Sequence, residues 1–286
     1  MGLTEKLREL RWRAAGHYSR RLPDSFVAPL AGGRALEIGG PSALFGSGGL
    51  LPVYPILASI DGVQWAEDTA WHSLDADAGY SPEGERRGEL HVIDRVDLDP
   101  LADASYDVVL SSHVLEHIAN PLRALTAWRR VTRPGGHLLI VLPHMAGTFD
   151  HRRPVTAVGH MVEDFERDVG EDDLTHLDET LRLHDRARDV PCDDDEAWAE
   201  GRRRNLSTRL IHHHTFTTST VLALLDHIGL ELAAVETRFP HDIYVLGRWP
   251  SGNARADNSA FLASRHRSPF RVDRKWHAAA TPSEPG

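Results

Sequence analysis

The feature that most limits the fold of this 286-residue chain is an alternation of short apolar runs with helix-like segments. Buried parallel strands are covered on both faces, so they are continuously apolar, and the connection between two of them is usually a helix. Five runs have this character: residues 35–38, 90–93, 106–110, 136–142 and 243–248. The alternation therefore predicts a doubly wound α/β sheet.

Two of the intervening segments carry clear helix signals. Pro121–Val131 follows Asn120, a capping residue, and its apolar residues recur at helical spacing. Residues 218–228 also have a helix pattern, and they stop at Gly229, a residue that commonly ends helices. We therefore expect both segments to be helices that cover the sheet.

The same patterns divide the chain into an arm, a domain and a tail. Residues 1–32 contain a basic amphipathic segment, which predicts an N-terminal helical arm. Residues 33–250 hold the α/β pattern, interrupted after the fifth strand by a long insertion, residues 146–208, with a helical pattern at 172–186. Residues 251–286 are polar and weakly periodic, and we expect them to form a flexible tail.

Composition excludes several classes of protein. The chain has 32 basic and 42 acidic residues, and a net charge of -10 disfavours nucleic-acid binding. Its apolar runs, such as residues 138–143, are far below the roughly 20 residues of a membrane helix, and residues 1–13 do not resemble a signal peptide. One cysteine, Cys192, excludes an internal disulfide. We expect a cytoplasmic protein without a nucleic-acid or membrane partner.

Glycines and carboxylates follow the first strands in an order that favours a nucleotide-like ligand. The first strand leads into Gly39 and Gly40, and glycine there allows a ligand to approach the backbone closely. Asp61 lies about 20 residues further on, a spacing at which an acid commonly binds ribose hydroxyls, although an aspartate before glycine also fits a simple turn. Asp94 ends the third strand, where its carboxylate can accept from an amino group such as that of adenine.

Two further motifs complete the series. Residues 105–117 read S-Y-D-V-V-L-S-S-H-V-L-E-H, a strand followed by a polar turn, and residues 133–136 read R-P-G-G before the fifth strand. Together with E-x-G-G at residues 37–40, these motifs resemble the class I S-adenosylmethionine-dependent methyltransferases of the small-molecule type. The resemblance implies a Rossmann-like seven-stranded sheet, S-adenosyl-L-methionine as the cofactor and a small-molecule methyl acceptor.

The resemblance also implies roles for individual residues at the cofactor site. Glu37, Gly39 and Gly40 would line the methionine part of the cofactor. Asp61 would hold the ribose, and Asp94 with the backbone of Arg95 would hold the adenine. The turn after the fourth strand would form the floor beneath the sulfonium, through Ser111, Ser112 and His113.

Methyl transfer needs an oriented nucleophile and, for a hydroxyl, a base. Histidine is the natural candidate, and eight of the 18 histidines lie between His144 and His214. His144 follows the fifth strand directly, and residues 212–214 are consecutive histidines before a predicted helix. We therefore expect His144 or His213 to be the catalytic base.

Substrate contacts are expected from the same region. Arg152 and Arg153 could clamp a carboxylate or a phosphate, with His151 beside them and His214 on the facing segment. The alternative is that the two arginines neutralise the acidic insertion.

The histidines of the insertion could also form a metal site. His160 with Glu163 or Asp164, and His176 with His184, have spacings that suit metal ligands on a helix. The histidines of the insertion form no H-x-x-x-H motif, and the sequence leads us to expect no metal.

The function that the sequence favours is methyl transfer from S-adenosylmethionine to an oxygen or nitrogen of a small molecule. Two alternatives stay open: an enzyme that displaces another group from the sulfonium, and a catalytically inactive binding module of the same fold. The identity of the acceptor and the oligomeric state are not determined by the sequence.

Overall fold

A computed structural model describes residues 21–66, 69, 73, 75–190, 192, 194–252, 254–263 and 268–273. Most of the expected N-terminal helical arm, residues 1–20, lies outside the described residues. The described residues form one seven-stranded sheet with helices around it. The predicted α/β fold class is therefore confirmed. No helix among the described residues is long and apolar enough to cross a membrane.

The sheet has the strand order β3-β2-β1-β4-β5-β7-β6. Its strands are β1 (Arg34–Ile38), β2 (Ser59–Gln64), β3 (Leu90–Val92), β4 (Tyr106–Ser112), β5 (Thr132–Pro143), β6 (Glu231–Arg238) and β7 (Asp242–Arg248). Strands β1 to β5 pair in parallel, and β7 is antiparallel to both β5 and β6. Because β1 lies between β2 and β4, the strand order reverses beside β1, and ligands of open α/β sheets bind outside the carboxyl ends of strands at such a point.

Seven α-helices accompany the sheet among the described residues. They are α1 (Pro121–Val131), α2 (Val158–Glu166), α3 (Leu177–Leu183), α4 (Asp195–Arg203), α5 (Asn205–Thr208), α6 (Thr218–His227) and α7 (Ser259–Ala263). Helix α1 has the predicted bounds, and the Asn120 side chain accepts a hydrogen bond from the Arg123 amide, as expected of an N-cap. Its apolar face, which includes Leu125 and Trp128, is buried against the sheet.

The core lies on both faces of the sheet because successive strand residues point to opposite sides. Leu36 and Val109 belong to the cluster that packs under α1 and α6. Ala35 and Leu110, their sequence neighbours, belong to the cluster on the other face. Burial on both faces is why these strands are continuously apolar.

The insertion contains less helix than its sequence pattern predicts. Within the predicted helix at 172–186, only Leu177–Leu183 is helical. The preceding residues form turns, and the Thr175 hydroxyl donates to the Asp173 carboxylate. Such local bonds from aspartate and threonine side chains compete with helix formation, which explains the shorter helix.

The prediction of a flexible tail is wrong for those residues of the tail that the structure describes. Asn258 is buried, donates its side-chain amide to the Leu230 carbonyl and accepts from the Leu232 amide. Asp273 is also buried and accepts from the Thr218 hydroxyl. These polar bonds attach the tail to α6 and β6, which its low apolar periodicity did not indicate.

Candidate active site

A pocket of about 570 Å³ lies at the carboxyl edge of the sheet, beside the point where the strand order reverses. The walls come from the ends of β1, β2 and β3, from the turn after β4, from α1 and from the insertion. Gly39, Asp94 and Arg95, three of the residues predicted to bind cofactor, line this pocket.

Gly39 has a backbone conformation and an environment that only glycine accommodates. Its φ is +73°, and an added Cβ would lie 2.5 Å from Cγ2 of Val114, which also lines the pocket. Residues with side chains rarely adopt a positive φ. The glycine therefore permits the chain to turn directly at the rim of the pocket.

Glu37 supports this turn from behind and does not line the pocket. Its carboxylate accepts hydrogen bonds from the Tyr54 hydroxyl at 2.8 Å, the Tyr80 hydroxyl at 2.7 Å and the Ser42 amide at 3.0 Å. Burial raises the pKa of Glu37 to about 7, and the hydrogen bonds from the tyrosines lower it less than burial raises it. The predicted contact of Glu37 with the cofactor is corrected to a positioning role.

Gly40 also faces this buried network. A Cβ on Gly40 would lie 2.2 Å from Cδ of Glu37, and the Gly40 carbonyl accepts from the Gln64 side chain. Neither Gly40 nor Glu37 lines the pocket, so the two residues shape the turn that presents Gly39.

The prediction that Asp61 binds ribose is wrong. Asp61 lies in the middle of β2, opposite Leu36 of β1. Its carboxylate accepts from the Arg34 guanidinium at 2.7 Å, the Tyr106 hydroxyl at 2.9 Å and the Glu89 amide at 2.9 Å. Burial raises the pKa of Asp61, but these hydrogen bonds outweigh burial and lower it. Arg34 and Tyr106 are the first residues of β1 and β4, so these contacts of Asp61 are at the amino ends of the strands.

Apolar residues around Asp94 form the deeper wall of the pocket. Ile93, Val96 and Leu98 come from the segment after β3, and Trp128 comes from α1. An exposed carboxylate beside an apolar wall suits a flat heteroaromatic ring that carries an amino group. The sequence identified Asp94 but not the apolar wall, because the wall combines segments that are distant in the chain.

The insertion contributes two charged residues to the pocket. Glu171 and Arg209 form an ion pair, and the Arg209 guanidinium lies 5.9 Å from the ring centroid of Trp65. All three residues line the pocket, and Glu171 also accepts from the Ala119 amide. These residues were not predicted, since nothing in their local sequence distinguishes them from the other charges of an acidic segment.

His113 follows β4 and forms a pair with a carboxylate from β7. Its Nε2 donates to Oδ1 of Asp242 at 3.1 Å, and its Nδ1 lies 3.7 Å from Oε1 of Glu116. Burial lowers the pKa of His113, but the bond to Asp242 and the charge of Glu116 outweigh burial and raise it. Its side chain is 32% exposed, so a ligand has access to it. Ser111 and Ser112, the other two predicted floor residues, are the last residues of β4, and Ser111 is fully buried.

Glu116 is the most unusual acid of the site. It is 1% exposed, and neither carboxylate oxygen has a hydrogen-bond partner. Burial raises the pKa of Glu116. His117 and His212 each place a ring nitrogen within 4.8 Å of a Glu116 oxygen, and His117 also lines the pocket. The motif that follows β4 contains Glu116, but its burial could not be predicted from a short polar turn.

His144 is not placed to act as a base. It is fully buried, its Nε2 donates to Asp273 at 3.3 Å, and its Nδ1 accepts from the Ala146 amide at 3.2 Å. The ring stacks on Phe270 at 4.0 Å between centroids. Both nitrogens are used by the protein, so the prediction is corrected to a structural role that joins β5 to the tail.

His213 is also unsuited to that role. Its Nε2 accepts from the Asn205 side chain at 3.0 Å, and the residue is 1% exposed. Burial, with the charge of neighbouring His176, lowers the pKa of His213 to about 3. A base with so low a pKa takes up a proton poorly at neutral pH.

The side chains of the predicted substrate clamp bind other residues of the protein. Arg153 has a side chain that is 1% exposed and donates to Glu179, Asp150 and the His212 carbonyl. Asp185 accepts from His151 at 2.8 Å and pairs with Arg152 at 3.2 Å. The alternative that the arginines neutralise the acidic insertion therefore describes the structure better. His214 is buried and donates to the Ala119 carbonyl, which does not support a substrate contact either.

Comparison with known proteins identifies a methyltransferase segment. Residues 72–140 match the model of a methyltransferase domain family. This segment includes β3, β4, α1 and most of β5, and it contains Asp94, His113 and Glu116.

Curated relatives match over short segments. An uncharacterized 37.1 kDa transposon protein of Streptomyces fradiae is 41% identical over 56 residues, which are 20% of this chain and 14% of that protein. An uncharacterized methyltransferase of Mycolicibacterium gilvum is 46% identical over 50 residues, 18% of this chain and 20% of that protein. The chain thus spans a fifth or less of the length of these relatives.

Solved structures with a similar arrangement have low sequence identity. A methyltransferase dependent on S-adenosylmethionine from Mesorhizobium loti has a TM-score of 0.44 and 17% identity, over 83% of this chain and 96% of that one. The 1,6-didemethyltoxoflavin-N1-methyltransferase of Burkholderia thailandensis has a TM-score of 0.44 and 12% identity, over 86% of this chain and 85% of that one.

The seven-stranded sheet and the pocket at its carboxyl edge define a Rossmann-like α/β protein with a site for a nucleotide-like ligand. The segment that matches the methyltransferase domain model, residues 72–140, supplies part of the pocket wall, and this match agrees with the resemblance that the sequence motifs carry.

Proposed function

We propose that this protein transfers the methyl group of S-adenosylmethionine to an oxygen or nitrogen of a small-molecule acceptor. The observation that carries this proposal is the pocket at the reversal of strand order, which Gly39 and Asp94 line together with apolar side chains. The glycine turn offers close backbone approach, and the cleft offers an apolar wall for a heteroaromatic base.

The residues of the pocket fit the parts of this cofactor. Gly39 has a site that an added Cβ would fill, which suits the methionine portion. Asp94 would accept a hydrogen bond from an adenine amino group, and Ile93, Val96 and Leu98, which also line the pocket, would provide an apolar surface for the ring. When bound, the cofactor supplies a methyl group on a sulfonium, an electrophile that needs only an oriented nucleophile.

The base in this proposal is His113 and not the predicted His144 or His213. Asp242 holds Nε2 of His113, so the protein orients the ring and leaves Nδ1 to accept a proton. The proton would come from the hydroxyl or amine of the acceptor as it attacks the methyl group. His117 joins this region to the cofactor pocket, because it lines the pocket and lies next to Glu116 in the chain.

Glu116 gives the acceptor site its chemical preference. Its two buried oxygens have no hydrogen-bond donor among the residues that the structure describes, and a buried carboxylate without partners is costly. An acceptor with hydroxyl or ammonium groups would supply these donors. We therefore expect the acceptor to present at least one hydrogen-bond donor beside the group that is methylated.

The experiment has two stages. Calorimetric titration of the protein with S-adenosylmethionine and S-adenosylhomocysteine tests cofactor binding, and release of S-adenosylhomocysteine is then screened over hydroxyl- and amine-bearing compounds. Turnover with a methylated product supports the proposal. Methylthioadenosine as the product would indicate displacement of another group, and binding without turnover would favour a binding module.

A further inference from the structure

Three imidazole rings surround a common point beside the insertion. They belong to His160 on α2, His176 before α3 and His214 before α6. Their ring centroids are 5.1, 5.7 and 5.9 Å apart, so they form a nearly regular triangle. Nε2 of His160 lies 3.1 Å from Nε2 of His176, and one ring nitrogen of each histidine lies within 4.8 Å of the others. Nitrogens that share a metal ion have this kind of separation.

A carboxylate oxygen lies beside two of the three rings. Asp164 lies one helical turn after His160, and its Oδ2 is 3.5 Å from Nε2 of His160 and 3.8 Å from Nε2 of His214. This oxygen is buried and has no hydrogen-bond partner. A buried carboxylate oxygen without a donor is expected to bind a cation or a proton.

The hydrogen bonding of His214 leaves one ring nitrogen available as a ligand. Its Nε2 donates to the Ala119 carbonyl at 3.1 Å, so Nδ1 carries the lone pair. This Nδ1 is buried and has no partner. A ligating histidine usually donates its other N–H to a carbonyl or a carboxylate, which fixes the ring for the metal.

We propose that His160, His176, His214 and Asp164 bind one divalent transition-metal ion, with Zn²⁺ as the first candidate. Three nitrogens and one oxygen form a donor set that suits tetrahedral zinc, and the half-exposed His160 side chain provides a path for the ion. The ion would connect α2 and α3 to the segment before α6. Glu171, which lines the cofactor pocket, lies between α2 and α3, so the metal would stabilise the insertion that closes the pocket.

The structure offers two other donor groups, and both are less suited. In the group of His113, His241 and Asp242, the carboxylate already accepts hydrogen bonds from His113 and Tyr244. In the group of Glu116, His117 and His212, Nδ1 of His212 already donates to Asp150 and only two imidazoles are present. They provide the alternatives against which the proposal is tested.

The test is a titration of the chelator-treated full chain with Zn²⁺, in competition with a chromophoric chelator. We expect about one equivalent of tightly bound ion. His160→Ala and His176→Ala are each expected to weaken zinc binding by more than about 100-fold, because loss of a ligand costs more than loss of an outer partner. Asp164→Asn is expected to weaken it as well. His227→Ala, at an exposed site in the last turn of α6, is the matched control and should bind like the wild type.

Two further readouts separate the outcomes. Co²⁺ in place of Zn²⁺ should give the intense visible absorption of a four-coordinate ion in the wild type and not in the two histidine variants. Circular dichroism reports whether each variant is folded. No saturable binding by the wild type, or equal binding by wild type and folded His160→Ala and His176→Ala, would overturn the proposal. Zinc affinity is measured without S-adenosylmethionine, so the result does not depend on the proposed methyl transfer.

Discussion

Nε2 of His113 lies 3.1 Å from Oδ1 of Asp242, and this contact joins the end of β4 to the start of β7 across β5. The pair places an oriented imidazole at the carboxyl edge of the sheet, near the pocket to which the family's cofactor is assigned. Neither residue is close to the other in sequence, and the contact exists because β7 inserts between β5 and β6.

Replacement of His113 with Ala should reduce turnover by about 10²- to 10⁴-fold if the residue is the base. Affinity for S-adenosylmethionine should stay near that of the wild type, because His113 does not line the cofactor pocket. Release of S-adenosylhomocysteine and calorimetric titration measure the two quantities, with His227→Ala as control. Equal losses of both would show that His113 is structural.

Asp242→Asn tests the pair by its effect on protonation. The hydrogen bond from His113 to Asp242 raises the pKa of His113, and removal of the charge should lower that pKa. The acidic limb of the pH–rate profile should then move to lower pH, since the histidine loses its proton earlier. NMR titration of the His113 ring measures this pKa without an acceptor. An unchanged pKa would contradict the assigned pair.

Gly39→Ala should abolish binding of S-adenosylmethionine. The added Cβ would lie 2.5 Å from Val114, and the φ of +73° disfavours any side chain. Gly48→Ala is the matched control, because a Cβ at Gly48 meets nothing within 4 Å. Calorimetric titration of both variants measures the effect, and wild-type affinity in Gly39→Ala would reject the assignment of this pocket.

Ionisation of Glu37 should make the protein less stable as the pH rises from about 4.5 to 7. Burial raises its pKa from 4.5 to about 7, so the folded chain binds more protons than the unfolded chain within this range. The free energy of unfolding should fall by roughly 3 kcal/mol across it. Glu37→Gln should remove this part of the pH dependence. Urea unfolding at several pH values is the measurement, and an identical slope in the variant would contradict the result.

Asp61→Asn should destabilise the fold by about 1 to 3 kcal/mol, because the Arg34 and Tyr106 side chains lose a charged acceptor. Affinity for S-adenosylmethionine should be unchanged, since Asp61 does not line the pocket. Thermal unfolding and calorimetric titration measure the two effects. A selective loss of cofactor affinity with normal stability would restore the original ribose assignment.

The sequence by itself determined the elements whose signals are local. Helix α1 could be predicted to its end residues because its cap and its apolar spacing lie within one segment. Strands β1, β3 and β4 were recognised because each contains a short, mostly apolar run. Strand β2 was missed, since Asp61 interrupts its apolar run and is stabilised only by partners on β1 and β4.

The tertiary structure alone decided which polar side chains meet. Glu37, His144 and Asp61 have sequence positions typical of a ligand site, yet each is held by at least one residue that is 17 or more positions away, such as Tyr54 for Glu37. His160, His176 and His214 converge although up to 54 positions separate them. Local patterns report burial and periodicity, whereas the strand order and the path of the insertion decide which side chains become neighbours.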